Sequence, residues 1–187
     1  MNLKELTWKN HKKAERKEFA SVLMSGNISV PLYYSYLYNQ YHMYSVLESA
    51  LAQRGFPAMM YDVFRTTAIR EDMAELEHDY GMLPEKTKLY PLVADYHEHI
   101  LNLERERDYD GLVAHMYVRH FGDMYGGSMI AKKVPGAGRM YEFNDKENLK
   151  AKLRELLNDD MAKEANICFE YAIKLFEELG KDVSSME

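Results

Sequence analysis

Apolar positions recur at helical spacing in seven stretches of the chain and nowhere alternate for long enough to found a sheet. Leu3, Leu6, Ala14, Phe19 and Leu23 mark a first helix over residues 3–23, which Gly26-Asn27 breaks. Pro31 suits the first turn of a second helix over 31–53, ended by Gly55-Phe56-Pro57. A third helix over 58–79 stops at Gly81, and a fourth covers 91–107 beyond Pro84 and Pro91. Asp110 can cap a fifth, which Pro135-Gly136-Ala137-Gly138 ends. Asn144 or Asp145 can cap a sixth over 145–157, and Asp159 or Asp160 a seventh over 160–179. Met140-Tyr141-Glu142-Phe143 alternates, but is too short for a sheet. The pattern predicts an all-α protein, a single bundle-like domain of about seven helices over residues 1–187.

The fifth helix carries an anomaly, Gly122, Gly126 and Gly127 within one short run around Asp123. Each helix-interior glycine costs about 1 kcal/mol relative to alanine, so the cluster costs about 2–3 kcal/mol. Such a loss implies a kink, or a ligand lying close against bare backbone. The run is expected to form one wall of a ligand slot, with Asp123 on the segment facing it.

Composition narrows the ligand classes. The hydrophobic fraction of 47% suits a globular domain, while 15 Tyr and 13 Met suggest a wide, amphipathic pocket. A net charge of −6 disfavours nucleic acid as a partner. Cys168 stands alone, so no internal disulfide can form and a reducing compartment is expected. There is neither an apolar run of membrane-spanning length nor an apolar signal core at the N-terminus, so a soluble, cytoplasmic protein is expected.

Several groups could carry chemistry. His11 and Glu15 are spaced i,i+4 on one face; the carboxylate could accept a proton from one ring nitrogen and leave the other for a metal. Lys4 lies about 20° from His11 on the helical wheel. Lys150 and Arg154, also i,i+4, could clamp carboxylates from one side. Taken singly, each of these is better explained by a solvated helix face. Glu75-x-x-His78 is half of a carboxylate-bridged di-iron pattern that lacks its second copy. His97 and His99 read as solvated, His42, His115 and His120 as core or pocket-edge residues, and Cys168 as a small core residue with no neighbouring cation.

Together these pieces resemble the heme oxygenase family over essentially the whole chain and in the right order. The proximal signature reads His11-Lys-Lys-Ala14-Glu15-Arg-Lys-Glu18-Phe19. The distal signature reads Ala114-His115-Met116-Tyr117-Val118-Arg119-His120-Phe121-Gly122-Asp123-Met124-Tyr125-Gly126-Gly127. The segment from Tyr41 to Glu48 looks like the family's second-helix block, and Phe176-Glu177-Glu178-Leu179 like its final helix. The resemblance implies that His11 ligates heme iron, with Glu15 behind it, and that Gly122, Gly126 and Gly127 bend the distal helix onto the porphyrin. By the same resemblance, oxygen would be steered toward a meso carbon of the heme b substrate. Asp123 would anchor protonating water, with Arg119 and Tyr44 holding the network. Lys4, Tyr117, Lys150 and Arg154 match the positions that contact the propionates. The implied products are biliverdin IXα, carbon monoxide and ferrous iron.

The chain departs from the family pattern at four places. Tyr125 stands where Ser is usual, Phe121 where Leu is common, His120 where Tyr is common, and Trp8 where mammalian members often carry Lys. Of these, Tyr125 most changes the expected shape of the distal pocket. The resemblance implies reduced ferredoxin as electron donor, a bilin reductase downstream, no membrane partner and a monomer. Lys9, Lys12 and Arg16 fall within about 60° of one another, and with Lys132 and Lys133 they are the expected docking strip for an acidic ferredoxin. The competing readings are a heme carrier or sensor without turnover and a ferritin-like di-iron protein.

Overall fold

All seven expected helical stretches are present in the computed structural model, which describes residues 2–185. The first is divided into α1 (Leu3–Glu15) and α2 (Glu18–Met24), because Lys17 adopts extended backbone. The break lets Phe19 turn into the main core while Ala14 joins a small separate cluster with Phe169 and Ile173. The second stretch is α3 (Val30–Gln53), capped by Ser29, whose hydroxyl accepts from the Leu32 N–H at 3.3 Å. The third is a 3-10 turn, Ala58–Val63, followed by α4 (Thr66–Tyr80), which Gly81 closes in the left-handed conformation at φ 70°. The fourth is α5 (Pro91–Arg105).

The fifth stretch runs unbroken through α6 (Tyr109–Met116), a π-helical turn (Tyr117–Phe121) and α7 (Gly122–Ala131). Its cap is Asp108, which accepts from the Gly111 N–H at 2.8 Å, and not Asp110. A carboxylate two residues earlier reaches the N3 amide, as the capping geometry requires. The last two are α8 (Lys146–Arg154) and α9 (Ala162–Lys181). Asp145 takes the N-cap position of α8 without a capping bond, and Asp159 and Asp160 lie in a 3-10 turn before α9. Met140 and Tyr141 belong to another such turn, Arg139–Tyr141, so no strand occurs among the described residues.

Helix α3 is the axis of the bundle, packed against α4, α5 and α6. It is buried on nearly every side, as a helix apolar all round must be. Its tyrosines fill the core, and several of their hydroxyls find partners: Tyr34 donates to Glu77 at 2.8 Å, and Tyr36 and Tyr141 share a bond of 3.0 Å. The aromatic surplus that suggested a wide pocket therefore builds the centre of the protein. Helix α9 covers α1, α2 and α6, and meets α1 and the π turn in the cluster of Ala14, Phe169, Ile173 and Val118. Among the described residues no helix is long and apolar enough to cross a membrane.

Candidate active site

The irregularity of the distal helix is the π turn, one residue before the first glycine. A wider turn of this kind is inserted in α-helices frequently at functional sites. Here it brings Arg119, His120 and Phe121 inside together. The glycines themselves are regular α-helix: Gly122 has φ −54°, and none of the three has positive φ. The wider π turn thus lies just upstream of the glycines, which themselves keep helical backbone. Gly122 and Gly126 are one turn apart, and a Cβ on either would meet nothing within 4 Å among the described residues. They leave open space on one face of α7. Gly127 serves a different end, since a Cβ there would lie 2.8 Å from the Tyr141 ring. Its missing side chain lets α7 pack on Tyr141 rather than on a ligand.

Behind that open face lies a buried polar network. The Tyr44 hydroxyl, from the middle of α3, donates to Asp123 Oδ2 at 2.5 Å. Burial pushes the Asp123 carboxyl from 3.8 up to about 6, against the Tyr44 hydrogen bond and the positive fields of His120, Arg65 and Arg119. An acid held near neutrality can keep a proton and release it at little cost, which is what general acid catalysis needs. Arg119 makes no hydrogen bond to Asp123 and acts on it through charge. Its guanidinium donates to the Tyr96 hydroxyl at 3.0 Å and to Gln40 at 3.2 Å.

Two further pairs complete the network. Glu48 accepts from His120 Nε2 at 2.7 Å, from the Arg65 amide at 2.6 Å and from the Thr66 amide at 2.9 Å. Burial opposes the Glu48 charge, but these donors outweigh it and lower its pKa. Beyond Arg119, Tyr96 meets His115 Nδ1 at 3.0 Å, and His115 and His99 converge on one oxygen of Glu164 at 2.9 and 2.8 Å. Burial opposes the Glu164 charge, yet its imidazole partners hold the carboxyl down at about 2. His99 is therefore not a solvated residue, and His97 is also engaged, on the His42 carbonyl at 3.0 Å. Cys168 is buried as expected, but the fold brings Arg119 beside it; against burial, that charge lowers the thiol pKa. Glu75 and His78 do not form a metal pair: Glu75 binds Arg139 at 2.6 Å, and His78 is exposed beside Asp79.

On the proximal side, His11 Nε2 faces Glu15 Oε1 at 3.3 Å, and its ring is wedged between Trp8 and Phe169. His11 Nδ1 is buried and finds no hydrogen-bond partner among the described residues. His120 Nδ1 is left unpartnered in the same way but deep in the core, whereas the His11 side chain is 41% exposed and within reach of a ligand. One nitrogen engaged and one free is the state a metal-binding imidazole requires, so the residues fit a heme iron. Tyr117 stands half-buried at the start of the π turn and close to Thr7 of α1. Lys4 is exposed, its ammonium 5.8 Å from the Trp8 ring centre.

Helix α8 supplies the expected cation pair. Lys150 is buried, 3.1 Å from Glu147, with its ammonium 4.2 Å over the Tyr125 ring. Arg154 donates to the Tyr125 hydroxyl. Sequence reasoning missed Glu48, Tyr96, Gln40 and Glu164, and placed His120 and His115 without partners. The available signal was weak: Glu48 sits one turn from Tyr44 in an otherwise apolar stretch.

Residues 1–178 match the family model described as heme oxygenase. The heme oxygenase of Rhodella violacea is 29% identical over 213 residues, covering 97% of this chain and 87% of that protein. Heme oxygenase 2 of Macaca fascicularis is 28% identical over 211 residues; the alignment covers 98% of this chain but 66% of the macaque protein, just under two thirds of its length. Among solved structures, heme oxygenase-1 from the cyanobacterium Synechocystis, in complex with heme, is 25% identical with a TM-score of 0.83, covering 98% of this chain and 92% of that one.

Proposed function

The chain belongs to the heme oxygenase family, and we propose that it opens the ring of heme b at one meso carbon, using O2 and electrons and yielding biliverdin IXα, carbon monoxide and ferrous iron. The observation that carries this reading is the pairing of a free, buried His11 Nδ1 with the buried Tyr44–Asp123 couple. The heme, once bound, supplies the iron at which O2 is activated against the porphyrin. The protein's part is to bind, orient and deliver protons. His11 would hold the iron, kept in orientation by Glu15, Trp8 and Phe169. Gly122 and Gly126 would let backbone approach the ring where side chains could not fit. Asp123, with a pKa of about 6, would supply protons through ordered water, held in place by the Tyr44 hydroxyl.

Lys150 and Arg154, with Lys4 and Tyr117, are the proposed propionate contacts. Reduced ferredoxin is the proposed electron donor. Lys9, Lys12, Lys13, Arg16 and Lys17, with Trp8 and one acid, Glu5, line a groove along α1, and Lys132 and Lys133 are exposed at the end of α7. An acidic partner is drawn to such a surface on a protein that is itself acidic. The protein is proposed to act as a cytoplasmic monomer, with its biliverdin available to a bilin reductase.

The test is to add hemin to the purified protein, then ferredoxin with its reductase under oxygen. Loss of the Soret band with growth of a biliverdin band is expected. A Soret band that persists unchanged would mean a carrier, and absence of any Soret band would overturn both heme readings.

A further inference from the structure

Tyr125 is the largest side chain on the open face of α7, between Gly122 and Gly126, and it is 55% exposed. An exposed aromatic is commonly mobile, but this one is tied at three points. Its ring stacks on Phe121 at 5.9 Å and 21°. Its hydroxyl accepts from Arg154, and the Lys150 ammonium lies 4.2 Å over its face. Lys150 and Arg154 of α8 are thereby both engaged from α7. The remaining partner of Lys150 is Glu147, whose side chain is 81% exposed, so that ion pair is weak.

We propose that Tyr125 is a specificity-determining residue: it occupies the carboxylate clamp of Lys150 and Arg154 in the ligand-free protein and is exchanged for a ligand carboxylate on binding. This rests on the heme reading of the site and adds a residue that acts before the chemistry. The phenol oxygen is a neutral acceptor, whereas a propionate is anionic. The Arg154 bond to the phenol has a charged donor only, whereas a carboxylate adds its own charge and can accept from the guanidinium bidentately, so a carboxylate wins the exchange while an uncharged group does not. Tyr125 therefore weakens and slows the binding of porphyrins that carry free carboxylates, whereas one without them leaves the tyrosine in place.

Two variants separate the parts. Tyr125→Phe removes the hydroxyl contact and keeps the ring over Lys150; Tyr125→Ser removes both. Because the side chain is exposed, neither opens the core, and circular dichroism verifies the fold. Hemin and hemin dimethyl ester are mixed with wild type and variants in stopped flow, read at the Soret band and by quenching of the single tryptophan, Trp8. Tyr125→Ser is expected to bind hemin about tenfold faster and tighter, the scale of a partly desolvated cation–π contact plus one hydrogen bond. Tyr125→Phe should fall between, and the dimethyl ester should gain little from either change. Equal binding by wild type and Tyr125→Ser, weaker binding by the variant, or an equal gain for the ester would each overturn the exchange while leaving the heme reading intact. If no form of the protein bound hemin, the heme reading itself would fall, and this inference with it.

Discussion

Replacing Asp123 by Asn tests whether the proposed acid is held against its own stability. Asn keeps an acceptor oxygen for the Tyr44 hydroxyl and removes the charge. Unfolded, Asp123 titrates near 3.8, while in the native protein burial raises it to about 6. Between those values the native state holds a proton that the unfolded chain has lost. Stability contributed by this group is therefore present below about pH 4, falls as pH rises toward 6, and stays lower by a constant amount above that. A shift of this size is worth about 3 kcal/mol once both states are ionised, and about 1.5 kcal/mol at pH 5. Asp123→Asn should thus be more stable than wild type, by a margin that roughly doubles between pH 5 and pH 8. For a protein of this length, 3 kcal/mol corresponds to a melting-temperature gain of about 6–12 °C. Urea titrations followed at 222 nm at several pH values measure the margin, and other titrating groups cancel in the difference. A margin that does not change with pH, or a variant less stable than wild type at pH 8, would refute the raised pKa. Heme turnover by the variant should fall although its stability rises.

Other substitutions probe the remaining parts of the site. His11→Ala should weaken hemin binding and abolish turnover, seen as a diminished and shifted Soret band in titration. Gly126→Ala should stabilise the ligand-free fold by about 0.5–1 kcal/mol, because alanine is the better helix former and its Cβ meets open space, yet should weaken hemin binding. Gly127→Ala should instead destabilise by about 1–3 kcal/mol, since its Cβ would overlap the Tyr141 ring; thermal melts of the two variants compare them directly. Glu48→Ala removes the acceptor shared by His120, Arg65 and Thr66 and should cost about 3 kcal/mol or more in chemical denaturation. Lys12→Glu with Arg16→Glu should raise the apparent KM for ferredoxin in a salt-dependent way.

Periodicity alone determined the seven helical stretches, since a 3.6-residue repeat of apolar positions is a local property that survives without its neighbours. The His11–Glu15 spacing and the glycines around Asp123 were legible for the same reason: each lies within a few residues of chain. What the tertiary structure decided is where separate helices meet. The proton-holding character of Asp123 comes from burial among helices remote in sequence, and the Tyr44 hydroxyl that opposes it lies 79 residues away. The partner of His120 is Glu48, at a separation of 72 residues, and the charge beside Cys168 is Arg119. No local pattern encodes such a pairing, because a pKa is set by everything packed around the group. The three glycines divide in the same way. In sequence they are equivalent, each costing helix stability, and the fold alone distinguishes Gly122 and Gly126, which leave space, from Gly127, which fills against Tyr141. Tyr125 shows the same limit: a departure from the family pattern marked the position, but its grip on Lys150 and Arg154 exists because α7 and α8 come together in space.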